Sequence, residues 1–251
     1  MNTIHVAIPT RGRADRQDTI RWMESERDKG IAVTLFVHED DPQKDRYIAW
    51  EPLVDGIEFH DGRNVAEARN AILDCYPAGT HVVMIDDDLR GLRELPGGSK
   101  KLHASHAGKF RRLVTHAEGM MSLHRTRLWG MYPTDSTMFM SQQVKYGVYF
   151  VCGGIFGTIV TDDLRFDGEL WRKEDYDYTL AMCARYGGVV RYDMITILGG
   201  RMQRGGVAAQ RVTNPEQNDE AVARLVAKWP EWIRMNPKRQ GEIILKKRQT
   251  R

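Results

Sequence analysis

Cysteine is scarce, with three in 251 residues: Cys75, Cys152 and Cys183. The set is odd in number, has no C-x-x-C spacing and lies among apolar neighbours. That excludes a disulfide framework and a thiolate metal knot, and it reads as buried free thiols. Long hydrophobic runs are missing too, since none approaches the ~18 residues that a membrane span needs. The N-terminus enters a strand pattern within a few residues, which leaves no room for a cleavable leader. Together these absences point to the cytoplasm and to no membrane partner. Charge of one sign is also lacking: 37 Lys and Arg face 34 Asp and Glu, a formal +3. Net charge alone therefore announces no polyanion ligand. There is no internal repeat and no low-complexity tract.

What remains is an ordinary globular composition, 41% hydrophobic and 28% charged, enough for a real core. The length suits one large α/β domain, alone or with an appendage. Positive charge gathers at the C-terminus, in Lys238-Arg239, Lys246-Lys247-Arg248 and Arg251. Such a tail is expected to be a solvated end.

Strand and helix patterns alternate over the first 90 or so residues, which predicts a mostly parallel α/β sheet. Ile4 to Ile8 reads as a strand, closed by Pro9 and the loop Thr10-Arg11-Gly12-Arg13. A helix is expected from about Thr19 to Lys29, stopped by Gly30. Ala32 to Val37 is a buried-strand run that ends in His38-Glu39-Asp40-Asp41. A short helix after Pro42 and a strand at Ile57 to His60 follow. Asn64 looks like an N-cap for a helix from Val65 to Leu73. Gly79 then breaks the chain before the strand His81 to Ile85. Later, Phe110 to Arg127 and Glu174 to Arg185 read as helices, Val189 to Ile197 as a strand and Pro215 to Lys228 as a helix. Gly153-Gly154 sits between two strand-like runs, as a hairpin turn or a place of close backbone approach. A glycine-rich basic loop spans Gly199 to Gly206.

The most informative segment is Asp86-Asp87-Asp88, directly after the buried-looking strand. If the chain stays extended, Asp86 and Asp88 share a side and Asp87 points away. Paired carboxylates at a strand end suit Mg²⁺ or Mn²⁺, which completes its shell with substrate phosphates. A capping Asp with solvated neighbours would use the same residues. Thr10-Arg11 and His38 to Asp40 also follow predicted strands, and ligands of open parallel sheets gather beyond the carboxyl ends. Arg11, Arg13, Arg63 and Arg69 lie near that edge, where guanidinium groups pair with phosphate. Asn70 follows Arg69 and has an amide suited to a base or sugar. Glu174 and Asp175 open a helix, whose dipole they complement. Beside a diphosphate site, Asp175 would instead serve as a general base, with Glu174 as its second or its orienting neighbour.

In order along the chain, Pro9-Thr10-Arg11, Ala68-Arg69-Asn70, Asp86-Asp87-Asp88, Gly153-Gly154 and Glu174-Asp175 resemble the motifs of GT-A glycosyltransferases, over roughly residues 3 to 200. The resemblance implies a GT-A, Rossmann-like α/β fold with a mixed, mostly parallel sheet. It implies a catalytic domain at 1–214, with its nucleotide half at 1–90 and its acceptor half at 91–214. A C-terminal helix and basic tail would occupy 215–251. It also implies Mn²⁺ or Mg²⁺ on Asp86 and Asp88, and a UDP-sugar pocket formed by Pro9, Thr10, Arg11, Asp40, Arg63, Arg69, Asn70, Asp87, Gly153 and Gly154. The chemistry would be inverting transfer with Asp175 as base. Many relatives add a late metal-binding histidine, but the last here is His124, so Asp193 or Asn214 is left as a third ligand, or none.

More narrowly, Ile8 to Arg13, Asn64 to Asn70 and Gly205 to Arg211 are similar to phage glycosyltransferases associated with TET/JBP dioxygenases. That implies 5-hydroxymethylcytosine in DNA as acceptor and, for a phage protein, the host cytoplasm. Lys100-Lys101, Arg111-Arg112 and the tail would then meet phosphates, and Trp229 and Trp232 would stack on a base or serve the core. The competing readings are a saccharide or protein acceptor, a nucleotidyltransferase, and a non-catalytic nucleic-acid-binding module.

Overall fold

The computed structural model describes residues 3–26, 30–199 and 215–246. Along the chain, β1 (Ile4–Thr10), α1 (Asp18–Glu26), β2 (Ile31–His38), a 3₁₀ segment (Lys44–Leu53), β3 (Gly56–His60), α2 (Val65–Asp74) and β4 (His81–Ile85) make the first half. Then come β5 (Leu89–Glu94), β6 (His103–Ala104), α3 (Lys109–His124), β7 (Leu128–Met131), β8 (Val144–Gly147), β9 (Ile155–Ile159), α4 (Glu174–Tyr186), β10 (Val189–Tyr192) and β11 (Ile195–Gly199). Last are α5 (Pro215–Lys228), β12 (Ile233–Met235) and β13 (Ile243–Leu245).

Eight strands form one sheet in the order β3-β2-β1-β4-β9-β7-β10-β8. Its first four are parallel, β9 runs against β4 and β7, and β8 runs against β10. Helices cover both faces, which is why the central strands read as continuous apolar runs. In β1, Val6 and Ile8 enter one core with residues of α1 and α3, while Ala7 faces the other core with Ile72 and Leu73 of α2. The α2 helix starts as its sequence predicts, with Asn64 extended and its side chain accepting from the Glu67 N–H at 3.0 Å.

Several expectations are corrected. Gly153-Gly154 is no hairpin turn, because the strands on either side pair with other partners. The expected strand from Val189 to Ile197 is two, parted at Asp193-Met194. Its second half leaves the main sheet to pair with β5 in a three-stranded sheet, β11-β5-β6. The C-terminal segment is not simply a solvated tail. β12 and β13 pair as a hairpin, and with Ala221, Val222 and Leu225 of α5 they bury a third core against Leu170 and Leu180. Trp229 and Trp232 belong to that cluster, which takes them away from base stacking. Residues 247–251 and the glycine-rich loop beyond Gly199 lie outside the described residues. Among the described residues no helix is long and apolar enough to cross a membrane.

Candidate active site

Strand β4 ends at Ile85 and the chain turns through Asp87-Asp88. The triplet therefore does not alternate as an extended strand would. Asp87 and Asp88 share Arg13, which pairs with Asp87 and stands 3.3 Å from Asp88. Asp87 also accepts from the Thr10 hydroxyl at 2.6 Å, and Gln17 Nε2 donates to that hydroxyl at 2.8 Å. Thr10 is thus buried behind the acids, holding one of them. The loop carrying Arg13 is tied down by residues the sequence did not single out. Asp41 accepts from the Gly12 N–H, and Tyr47 both receives the Arg13 N–H at 3.0 Å and donates to Asp41 at 3.1 Å.

Asp86 faces the other way, toward Arg69 on α2, at 3.5 Å. Burial among protein atoms and the neighbouring Asp88 and Asp87 push its carboxyl up to about 7, against the pull of Arg69. Since 43% of the side chain stays open, solvent tempers that push. Arg69 is the hub. Its Nη1 donates to Glu174 Oε1 at 2.7 Å and its Nη2 to the Gly153 carbonyl at 2.9 Å. Phe156 and Phe166 lie over the guanidinium at 5.4 and 5.6 Å, a cation–π setting. Glu174, buried beside it, has its carboxyl pushed up by burial and by Asp175, with Arg69 opposing.

Gly153 joins the two sides. Its carbonyl meets Arg69, and its N–H donates to Asp175 Oδ2 at 3.1 Å. A Cβ there would sit 2.6 Å from Arg69 Nη2, so close backbone approach is the reason for glycine. The Gly154 carbonyl accepts from the Asp86 N–H at 2.9 Å. Asp86, Arg69, Gly153, Gly154, Glu174 and Asp175 are therefore one contiguous constellation at the carboxyl edge of the parallel strands. Each motif was visible in the sequence; that Arg69 links them was not.

Other expected site residues fall elsewhere. Arg63 is exposed and paired with Glu67 and Glu169 at the start of α2. Asn70 spends both amide groups on the Phe166 backbone, at 2.9 and 2.8 Å. Pro9 stays within β1, and Arg11 and Asp40 are exposed beyond the ends of β1 and β2. Asp193 is fully buried between Lys145 at 2.6 Å and Arg191 at 2.7 Å, which removes it as a third metal ligand. Asn214 lies outside the described residues. Among the described residues no group of three or more metal-ligating side chains is assembled. Asp86 and Asp88 turn toward different arginines, Arg69 and Arg13, but both are carboxylates at one strand end, the donor type that a hard divalent ion takes.

The fold is that of GT-A glycosyltransferases. Among solved structures, S. aureus TarS matches at TM-score 0.59 and 12% identity over 90% of this chain and 39% of that one, and its fragment 1-349 at 0.54 and 10% over 89% and 65%. This chain thus spans less than two thirds of either. Glucosyl-3-phosphoglycerate synthase from Mycobacterium tuberculosis, in complex with Mn²⁺, UDP-glucose and phosphoglyceric acid, matches at 0.55 and 12% over 90% and 79%. A TarS fragment was also solved with UDP. No protein-family model matches the sequence, and no curated protein does.

Proposed function

We propose that this protein is a metal-dependent glycosyltransferase that moves a sugar from a UDP-sugar to an acceptor hydroxyl. The observation that carries it is the single constellation joining Asp86 to Asp175 through Arg69 and Gly153, on a GT-A sheet. Asp86 and Asp88 would hold Mn²⁺ or Mg²⁺, which when bound supplies charge stabilisation to the departing diphosphate. Arg13 and Thr10 fix the neighbouring acids, and Arg11 and Asp40, exposed beyond the ends of β1 and β2, would meet the donor only from that open edge. Arg69 would back the donor site from α2, while Asn70 holds the Phe166 backbone. Asp175, oriented by the Gly153 N–H, takes the proton of the acceptor hydroxyl as its oxygen bonds to the anomeric carbon. The bond from that carbon to the UDP oxygen breaks in the same step, which inverts the centre.

The acceptor we propose is 5-hydroxymethylcytosine in DNA. Only the motif resemblance supports it, and the tryptophans that would have stacked on DNA are used by the C-terminal core. The test is a transfer assay with Mn²⁺ and a panel of UDP-sugars, read by mass spectrometry. Duplex DNA with and without 5-hydroxymethylcytosine is supplied beside phosphoglycerate and saccharide acceptors. A sugar-sized gain on modified DNA alone is the expected result. Gain on another acceptor moves the substrate class, and no binding of UDP with Mn²⁺ removes the donor reading.

A further inference from the structure

Asp175 is half-buried, and both oxygens of its carboxylate accept backbone N–H groups, from Gly153 at 3.1 Å and Tyr176 at 2.9 Å. Two pieces of chain therefore set its direction: the first turn of α4, and residues 148–154 between β8 and β9. Neither is stiff by itself. Residues 148–154 belong to no strand or helix. Helix α4 is entered through Lys173 at φ +65°, where an N-cap is normally extended, and no side-chain hydrogen bond caps it. A side chain in that left-handed region strains the turn that carries the carboxylate.

One side-chain contact ties the two pieces together. The rings of Phe150 and Tyr176 stack with centroids 3.8 Å apart and planes 13° from parallel. The Lys173 ammonium stands 5.6 Å from the centre of the Tyr176 ring, a cation–π contact within the strained turn itself. Next along, the Val151 N–H donates to the Thr179 hydroxyl at 3.3 Å, and the Val151 carbonyl accepts from it at 3.4 Å. Both rings are half-buried, and among the described residues Phe150 belongs to none of the three cores. The stack, and not the interior, takes its apolar face.

We propose that Phe150 and Tyr176 are positioning residues for the base, their stack clamping residues 148–154 onto α4 and so fixing the Gly153 N–H on Asp175. The inference rests on the reading of Asp175 as base. Gly153 follows Phe150 by three residues and Tyr176 adjoins Asp175. A ring displaced by loss of its partner therefore moves the carboxylate against the acceptor hydroxyl. Proton transfer tolerates little such movement, because it needs hydrogen-bond reach. The acids after β4 are held separately, by Arg13, Thr10 and Arg69. The clamp should thus govern turnover and leave donor affinity alone.

The test has two arms, both on the full chain. Amide hydrogen exchange read by NMR needs no substrate: Phe150→Leu should speed exchange at the Gly153 N–H about ten-fold and leave the amides of β4 as they were. In the transfer assay proposed above, Phe150→Leu and Tyr176→Leu should each lower kcat about ten-fold, with UDP–Mn²⁺ affinity and the KM for the UDP-sugar unchanged. The two variants break the stack from opposite sides, so one that unfolds leaves the other to decide. Phe150→Tyr and Tyr176→Phe, which keep a stacked pair, should retain most of the turnover. In an Asp175→Asn background Phe150→Leu should cost nothing further, since the group it positions is gone. Wild-type exchange at Gly153 and wild-type kcat in both Leu variants would overturn the assignment. So would an equal loss on top of Asp175→Asn, which would place the effect away from the base. Full turnover in Asp175→Asn alone would instead remove the base reading, and this inference with it.

Discussion

Arg69 meets Glu174, Gly153 and Asp86 with only 3% of its side chain open. A charge buried that deeply is stable only while its partners are present. Arg69→Met leaves Glu174 in the same low-dielectric place without its cation, a change that typically costs about 3–5 kcal/mol. The urea midpoint should fall accordingly, and an unchanged midpoint would mean that Glu174 is not held as an anion by Arg69. Arg69→Lys should recover little, because an ammonium lacks the planar fork that reaches Glu174 and Gly153 together. Asp175 is different, being partly open and bonded through backbone N–H groups. Asp175→Asn should therefore keep the fold and UDP affinity while transfer falls about 10²–10⁴-fold. Full turnover in that variant would end its role as base.

Strand β4 positions the acids and is held at its other end by His81, whose Nε2 accepts the Trp129 indole N–H at 2.9 Å across β9. Gly157 on β9 makes room, since a Cβ there would lie 2.0 Å from Trp129 Nε1. Burial and His5 lower the His81 pKa to about 4. A group depressed on folding contributes stability above its unfolded pKa and loses it as pH falls through the folded one. Unfolding free energy should thus be level above pH ~6.5 and fall toward pH ~4 by up to roughly 3 kcal/mol. His81→Gln should flatten this slope in urea melts across that range. At this scale the sequence was informative where period and punctuation agree. The runs of β1, β2 and β4, the Asn64 cap and the acidic start of α4 were all legible. β5 was not, because Leu89-Arg90-Gly91-Leu92-Arg93-Glu94 alternates poorly and its strand state comes from pairing with β11. The β12–β13 hairpin was hidden for a like reason: its short strands are fixed by packing on α4 rather than by their own pattern.

The molecule as a whole joins its C-terminal segment to α4. Asp177, two residues after Asp175 in the first turn of α4, is 2% exposed. It accepts from Trp229 Nε1 at 2.7 Å and pairs with Lys228 Nζ at 2.9 Å. Lys228 also reaches Asp167 at 3.0 Å, so α5 clamps both α4 and the loop leading into it. Among the described residues, strands β1 to β4 take no part in that clamp. Trp229→Phe keeps the aromatic packing and removes one donor from a buried carboxylate, a loss of about 1–3 kcal/mol. Thermal melts should register it. Because the strain falls on the turn carrying Asp175, transfer turnover should drop while UDP–Mn²⁺ affinity stays as in wild type. Lys228→Met should behave alike and more strongly, since it strips a charge partner from Asp177 and Asp167 together. A variant that lost donor affinity in proportion to turnover would show instead that α5 supports the entire sheet and not α4 in particular.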